Sequence, residues 1–274
     1  MSRLREALAA ARARGLERLD AQLLLAHVLG RDRAWLLAHD DQVIVHEQAA
    51  RFEQLVERRA AGEPFAYIVG SKEFRGLSLQ VDARVLVPRP DTEVLVDWAI
   101  ELLRGELSGV GRPEVVDLGT GSGAIALAVS HAFPTVHVTA TDASPGALDV
   151  ARANAARLGL AVDTACGSWW DAVPGLRVHL ALSNPPYIAA SDPHLAALQA
   201  EPQAALTPGE TGLEALRQIV DGAAAHLQPG AWLLLEHGFD QADAVGSLLC
   251  AHGFSRGQTR HDQAGKARCS GGCL

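Results

Sequence analysis

From Glu114 onward, short apolar runs alternate with amphipathic stretches, and this alternation limits the fold more than any other feature of the chain. EVVDLG (114–119), VHVTATD (136–142), a short segment near 161–165, VHLALSN (178–184), AWLLLEHG (231–238) and FSRGQTR (254–260) read as strands. AIALAVSHAF (124–133), SPGALDVARANAARLG (144–159), GLEALRQIVDGAAAHL (212–227) and DQADAVGSLLCAHG (240–253) read as helices. Runs bounded by turn residues and separated by helical patterns cover a mainly parallel sheet on both faces, so the pattern predicts a Rossmann-like, doubly wound α/β domain.

The chain ahead of this region reads differently. Residues 1–64 predict a small helical bundle: Leu4, Leu8 and Ala11 start one stripe, Gly30 is a C-cap, and Phe52, Leu55 and Val56 mark a later helix. Between 65 and 87, Tyr67–Val69, Phe74, Leu77, Leu79 and Val81 suggest period-two alternation and a β-hairpin linker. The third region, 88–274, opens with PRPDTE (88–93), where Asp91 or Thr92 is a candidate N-cap.

Hydrophobic residues make up 48% of the 274, ample for a sizeable core. A net charge of −8 argues against broad electrostatic binding to nucleic acid. The amino terminus is a charged amphipathic pattern rather than a signal sequence, and no apolar run has the ~18 residues a membrane span needs. The four cysteines, Cys166, Cys250, Cys269 and Cys273, include no C-x-x-C pair. A reduced, cytoplasmic protein without a metal centre is expected.

Two motifs carry chemistry. Gly119-Thr120-Gly121-Ser122-Gly123 joins a strand to a helix, where glycines let backbone approach a nucleotide-like ligand. The loop alone does not decide the ligand, because its spacing loosely fits a dinucleotide fingerprint too. Asp142 ends the next strand, where a carboxylate can accept from both ribose hydroxyls. Of the adjacent Trp169 and Trp170, whose side chains diverge, at most one can stack on an adenine. The second motif, Asn184-Pro185-Pro186-Tyr187, follows a buried-strand pattern. Two prolines remove donors, Asn supplies an amide oxygen and the ring a flat wall. Together they suit a planar –NH2 group, either a carboxamide or a nucleobase amine.

These residues also carry a family resemblance. DLGTGSGAIALA (117–128), the strand ending at Asp142, SNPPYI (183–188), EPQAAL (201–206), GLEALRQIV (212–220) and LEHG (235–238) resemble the bacterial release-factor N5-glutamine methyltransferases of the HemK type. VPRPDTE (87–93) is similar to that family's linker motif, and DAQLLLAHVLGRDRAWLLAH (20–39) to its helical domain. The resemblance spans nearly the whole chain in one motif order. It implies a class I methyltransferase domain that uses S-adenosylmethionine, releases S-adenosylhomocysteine, and methylates the glutamine amide in the Gly-Gly-Gln motif of class 1 peptide chain release factors. It further implies that Gly119, Thr120, Gly121, Ser122 and Gly123 line the methionine part of the cofactor, that Asp142 holds the ribose, and that Trp169 lies beside the adenine. Asn184 would stand between cofactor and substrate. Asn184, Pro185, Pro186 and Tyr187 would hold the substrate amide, with Asn184, Pro185 and Tyr187 as the catalytic set. Many relatives carry an acidic residue at the place of Ser168, so adenine recognition is expected to be weaker there. The tail ARCSGGCL (267–274) departs from the family's usual ending and is assigned no role. His237, in LEHG, is read as structural. A monomer that docks the release factor on residues 1–64 and binds neither membrane nor nucleic acid stably is expected.

Four other readings compete. A ribosomal-protein glutamine methyltransferase and an adenine amino methyltransferase acting on DNA or RNA share the tetrapeptide. A dinucleotide-dependent oxidoreductase would leave the tetrapeptide without a task, and so would a cofactor-binding adaptor that performs no catalysis.

Overall fold

The computed structural model describes residues 2–274. The chain folds as two compact units, Met1–Ser71 and Lys72–Leu274.

The first unit is a helical bundle. A two-residue strand β1 (Ser2–Arg3) pairs antiparallel with β2 (Val43–Ile44). Around them run α1 (Leu4–Ala13), α2 (Arg18–Leu29), α3 (Arg33–Ala38) and α4 (His46–Ala60). Gly30 caps α2 in the left-handed region at φ 61°, as its position after the apolar stripe predicts. Leu4, Leu24, Leu25, Leu36, Ile44 and Phe52 close the core. Tyr67–Val69 are helical rather than extended: α5 (Phe65–Val69) follows Pro64 and ends at Gly70, φ 75°. A short apolar run satisfies a buried helical turn as well as a strand, and here the helix wins.

The second unit opens with a tight hairpin, β3 (Ser71–Phe74) and β4 (Leu77–Gln80). Arg75 and Gly76 both have positive φ at its turn, the geometry that matches the twist of the flanking strands. The hairpin is not a free linker. Phe74, Leu77 and Leu79 are buried in the same core as α6 (Glu93–Arg104).

The seven-stranded sheet contains β5 (Glu114–Leu118), β6 (His137–Asp142), β7 (Asp163–Cys166), β8 (Val178–Ser183), β9 (Leu227–Glu236), β10 (Ser255–His261) and β11 (Ala267–Cys273). Its order is β10-β11-β9-β8-β5-β6-β7. The five strands from β7 to β9 are parallel; β11 runs antiparallel to them, and β10, paired antiparallel with β11, runs in their direction again. Helices α6, α7 (Ala124–Ala132), α8 (Pro145–Leu158), α9 (Glu214–His226) and α10 (Ala242–Ala251) complete the unit. Two apolar cores result: Leu180, Leu182, Trp232 and Leu234 point into one, and Val116, Ala181, Leu233 and Leu235 into the other.

The tail, assigned no role from the sequence, is β11, a full strand between β9 and β10. Its Ser270, Gly271 and Gly272 have weak strand propensity. Close packing explains them. A Cβ on Gly271 would lie 2.5 Å from Leu234 Cδ2 and 2.6 Å from the Leu233 carbonyl oxygen.

Strand order reverses between β5 and β8, so the loops at their carboxyl ends diverge and leave a crevice, the place where ligands bind in open α/β sheets. Among the described residues no helix is long and apolar enough to cross a membrane.

Candidate active site

Two adjoining cavities open over that crevice. The first, about 440 Å³, is lined by Gly119, Thr120, Gly121, Ser122, Asp142, Ser168, Trp169, Asn184 and Pro186, among others. The second, about 450 Å³, is lined by Arg89, Asp91, Pro185, Tyr187, Glu201 and Leu206, among others. Leu86, Asn184, Pro186 and Ala205 belong to both walls. Both volumes suit a small molecule or an inserted side chain.

The glycine loop is held from two sides. The Gly119 and Thr120 amides donate to the Thr141 carbonyl at 2.9 and 2.8 Å, and the Gly121 amide donates to Asp142 Oδ2 at 2.9 Å. Asp142 Oδ1 accepts from the Ser144 amide at 2.8 Å, while Ser144 itself caps α8. Asp142 is therefore a hinge between loop and helix with its carboxylate in the cavity wall. Gly123 stands apart from its neighbours. It does not line the cavity but begins α7 at φ 85°, with no room for a Cβ beside Leu127.

Beneath the loop, Asp117 is fully buried. Its Oδ2 accepts from Thr120 Oγ1 and the Ala126 amide at 2.6 and 3.2 Å, and Oδ1 has no partner among the described residues. Burial pushes this carboxyl up to about 7; the Thr120 and Ala126 hydrogen bonds oppose the rise, and the charge of Asp142 adds to it.

The two tryptophans separate as their adjacency predicts. Trp170 is buried, donates to the Ile219 carbonyl at 2.7 Å and stacks on His226. Trp169 lines the cavity, at φ 46°. Its ring edge lies against Gly119, where a Cβ would approach within 3.2 Å, and its Nε1 donates to Gln218 Oε1 at 2.8 Å. A bulky residue in the left-handed region is a strained one, and such strain concentrates at functional sites.

Around the tetrapeptide, Asn184 Nδ2 donates to Thr92 Oγ1 at 3.1 Å. Of the two N-cap candidates, Thr92 holds the N-cap position of α6, but its side chain makes no capping hydrogen bond and its hydroxyl serves Asn184 instead. The Tyr187 hydroxyl donates to Glu236 Oε1 at 3.2 Å. Burial raises the Tyr187 phenol well above its ordinary value, so the ring stays neutral. Gln241 Nε2 donates to the Tyr187 carbonyl at 3.0 Å and fixes the backbone of the motif. On the far wall, Glu201 ties two segments together by accepting from the Val87 amide at 3.0 Å and pairing with Arg89. Glu201, Glu236, Gln218 and Gln241 were given no role from the sequence, and Thr92 only that of a helix cap. All but Gln241 lie within motifs that were singled out, so motif membership was the available signal.

His237 is fully buried and lines neither cavity; its Nδ1 donates to the Gly238 carbonyl and its Nε2 accepts from Ser270, each at 2.8 Å. Burial lowers its pKa, in keeping with a structural histidine.

Residues 2–70 match the family described as the PrmC N-terminal domain, and residues 93–237 match the methyltransferase small domain. The release factor glutamine methyltransferase of Bordetella pertussis is 49% identical over 95% of this chain and 96% of its own length. Its counterpart in Burkholderia pseudomallei is 47% identical over 96% of this chain and 94% of its own. This chain belongs to the release factor glutamine methyltransferase family. Membership sets aside the oxidoreductase and adaptor readings, since the domain is a methyltransferase domain. A methyltransferase from Pyrococcus furiosus shares the fold, with a TM-score of 0.52 at 19% identity over 84% of this chain and 98% of that one.

Proposed function

We infer that the protein transfers a methyl group from S-adenosylmethionine to the side-chain amide nitrogen of the glutamine in the Gly-Gly-Gln motif of class 1 release factors. The observation that carries this reading is the position of Asn184 in the wall shared by both cavities, with its amide nitrogen already committed to Thr92. Its oxygen is left as an acceptor for a substrate N–H.

The residues present fit the cofactor. Gly119–Ser122 bring backbone to the cavity without side-chain bulk, Asp142 offers a carboxylate for ribose hydroxyls, and Trp169 offers a flat face for adenine. When bound, S-adenosylmethionine supplies an electrophilic sulfonium methyl. An amide nitrogen is a weak nucleophile, so the chain's contribution is position and charge stabilisation. Asn184 Oδ1 and the Pro185 carbonyl accept the two amide N–H bonds, which aims the nitrogen and favours positive charge developing on it. The Tyr187 ring walls the flat face of the amide. A release factor works where translation terminates, so this reading places the protein in the cytoplasm.

The test is tryptic mapping by mass spectrometry of a release factor incubated with the protein and S-adenosylmethionine. A single methyl on the Gly-Gly-Gln glutamine is expected. Methyl on another residue, or on adenine of an added nucleic acid, would overturn the assignment. In parallel, calorimetry should detect S-adenosylhomocysteine and no nicotinamide dinucleotide.

A further inference from the structure

Glu236 ends β9 with only 1% of its surface exposed, yet it lines neither cavity. Its Oε1 accepts from Tyr187, and its Oε2 has no hydrogen-bond partner among the described residues. A carboxylate so placed is costly unless neighbours repay it. The neighbours belong to the site. The Tyr187 hydroxyl bonds this carboxyl, the Thr92 hydroxyl lies beside it and favours its ionised form, and Thr92 in turn receives the Asn184 amide nitrogen. Two segments, the turn at Thr92 and the tetrapeptide Asn184–Tyr187, thus converge on one buried acid.

We propose that Glu236 is a positioning residue that sets which end of the Asn184 amide faces the substrate. This rests on the reading of Asn184 as the acceptor for the substrate amide. The argument is one of hydrogen-bond direction. An ionised carboxylate only accepts, so it draws the proton of the neighbouring Thr92 hydroxyl toward itself. The Thr92 oxygen then has lone pairs and no proton to offer Asn184. Only the –NH2 end of Asn184 can satisfy it, and Oδ1 is turned to the cavity. The same logic orients the Tyr187 hydroxyl and so the ring behind the substrate. With Glu236 protonated, its carboxyl can donate, the Thr92 proton is released, and both orientations of Asn184 become available.

This makes the orientation depend on pH. Burial pushes the Glu236 carboxyl up to about 7. The Thr92 and Tyr187 hydroxyls and the Arg268 guanidinium hold it down, while the Asp91 carboxylate pushes it up. Cys269 lies opposite on β11, and burial keeps its thiol protonated. His237, next in the chain, is turned to Ser270 and Gly238.

The experiment measures kcat and KM of the full-length protein with an intact release factor, from about pH 6 to about pH 9. For the wild type, kcat should rise with pH through about 7. Glu236→Gln should lose that limb and lower kcat at least about tenfold, with KM and S-adenosylhomocysteine affinity each within about threefold. Thr92→Val should lose a similar factor, and Thr92→Ser, which keeps the hydroxyl, should recover most of it. The double variant Thr92→Val with Glu236→Gln should be no worse than the poorer single one, because both break one chain of bonds. Wild-type kcat in Glu236→Gln, an unchanged pH limb, or losses that multiply in the double variant would each overturn the proposal. Should Glu236→Gln fail to fold, the Thr92 pair decides: equal activity of Thr92→Val and wild type overturns it. Asn184→Ala separates the two levels. If it is active, the underlying reading of the site falls. If it is inactive while Glu236→Gln is fully active, only the role of Glu236 falls.

Discussion

Asn184 has two polar ends; the fold ties up one, and the proposed reaction uses the other. Its nitrogen is held 3.1 Å from Thr92 Oγ1, so removing the side chain removes an aimed oxygen and leaves the surrounding strand ends in place. Asn184→Ala should lower methyl transfer on the order of a hundredfold or more, with an unchanged melting transition. Initial rates with a release factor provide the check, and wild-type turnover would reduce Asn184 to a turn residue. Asp142 is the residue proposed to hold the other reactant. Asp142→Ala should weaken S-adenosylhomocysteine by roughly 1–3 kcal/mol in calorimetry, the cost of charge-assisted bonds to the ribose. Part of that loss will come through the glycine loop, since Asp142 also holds the Gly121 amide. A third residue-scale expectation concerns packing. Gly271→Ala places a methyl group 2.5 Å from Leu234 Cδ2 and 3.0 Å from Trp98 Cη2. Backbone on the other side, the Leu233 carbonyl, cannot yield easily. A loss of about 1–3 kcal/mol in urea unfolding is expected, as for other overpacked cores.

At the scale of elements, the sheet carries its chemistry at one end and a clamp at the other. His137 opens β6 and reaches Glu114 at the start of β5 (2.5 Å) and Asp163 at the start of β7 (2.8 Å). Both ring nitrogens donate only in the imidazolium form. The hydrogen bond to Glu114, then that to Asp163, raises the His137 pKa. A raised folded pKa means that the stabilisation is fully present below about 6.5, the unfolded value, and is lost as pH rises through the folded one. Asp163 is largely exposed, so the effect is modest. His137→Gln should cost at most about 1 kcal/mol near pH 6, and the gap from wild type should close by about pH 9. Urea unfolding at both pH values tests this; a gap that widens with pH would contradict the clamp.

At the scale of the molecule, the units have separate cores, Leu4 to Ile68 in one and Phe74 to Cys273 in the other. Every residue lining the two cavities belongs to the second unit. We propose that the first unit serves to dock the protein substrate. A protein lacking residues 1–71 should bind S-adenosylhomocysteine nearly as tightly as the full chain but show a raised KM for the release factor. Free glutamine, which lacks the remote contacts that orient it, should be a poor substrate for either form. Equal KM values for the full and truncated proteins would remove the docking role.

The fold class and the two motif loops could be read from the chain because they rest on local order: the alternation after Glu114, the glycines at 119–123 and the polar tetrapeptide after an apolar strand. Family membership could be read for the same reason, since motif order survives without coordinates. Local order did not settle the short run at Tyr67–Val69, where helix and strand bury the same residues, nor reveal β11, whose glycines make sense only against Leu234 and Trp98. The partners of the site residues lay further out of reach. Thr92 meets Asn184 across 92 positions, and Tyr187 meets Glu236 across 49. Periodicity reports which face of an element is buried, whereas hydrogen-bond partners depend on which strand ends the topology brings together. The sequence by itself therefore determined the scaffold and the residue types at its reactive edge. The tertiary structure decided which way those residues point and which buried side chains stand behind them.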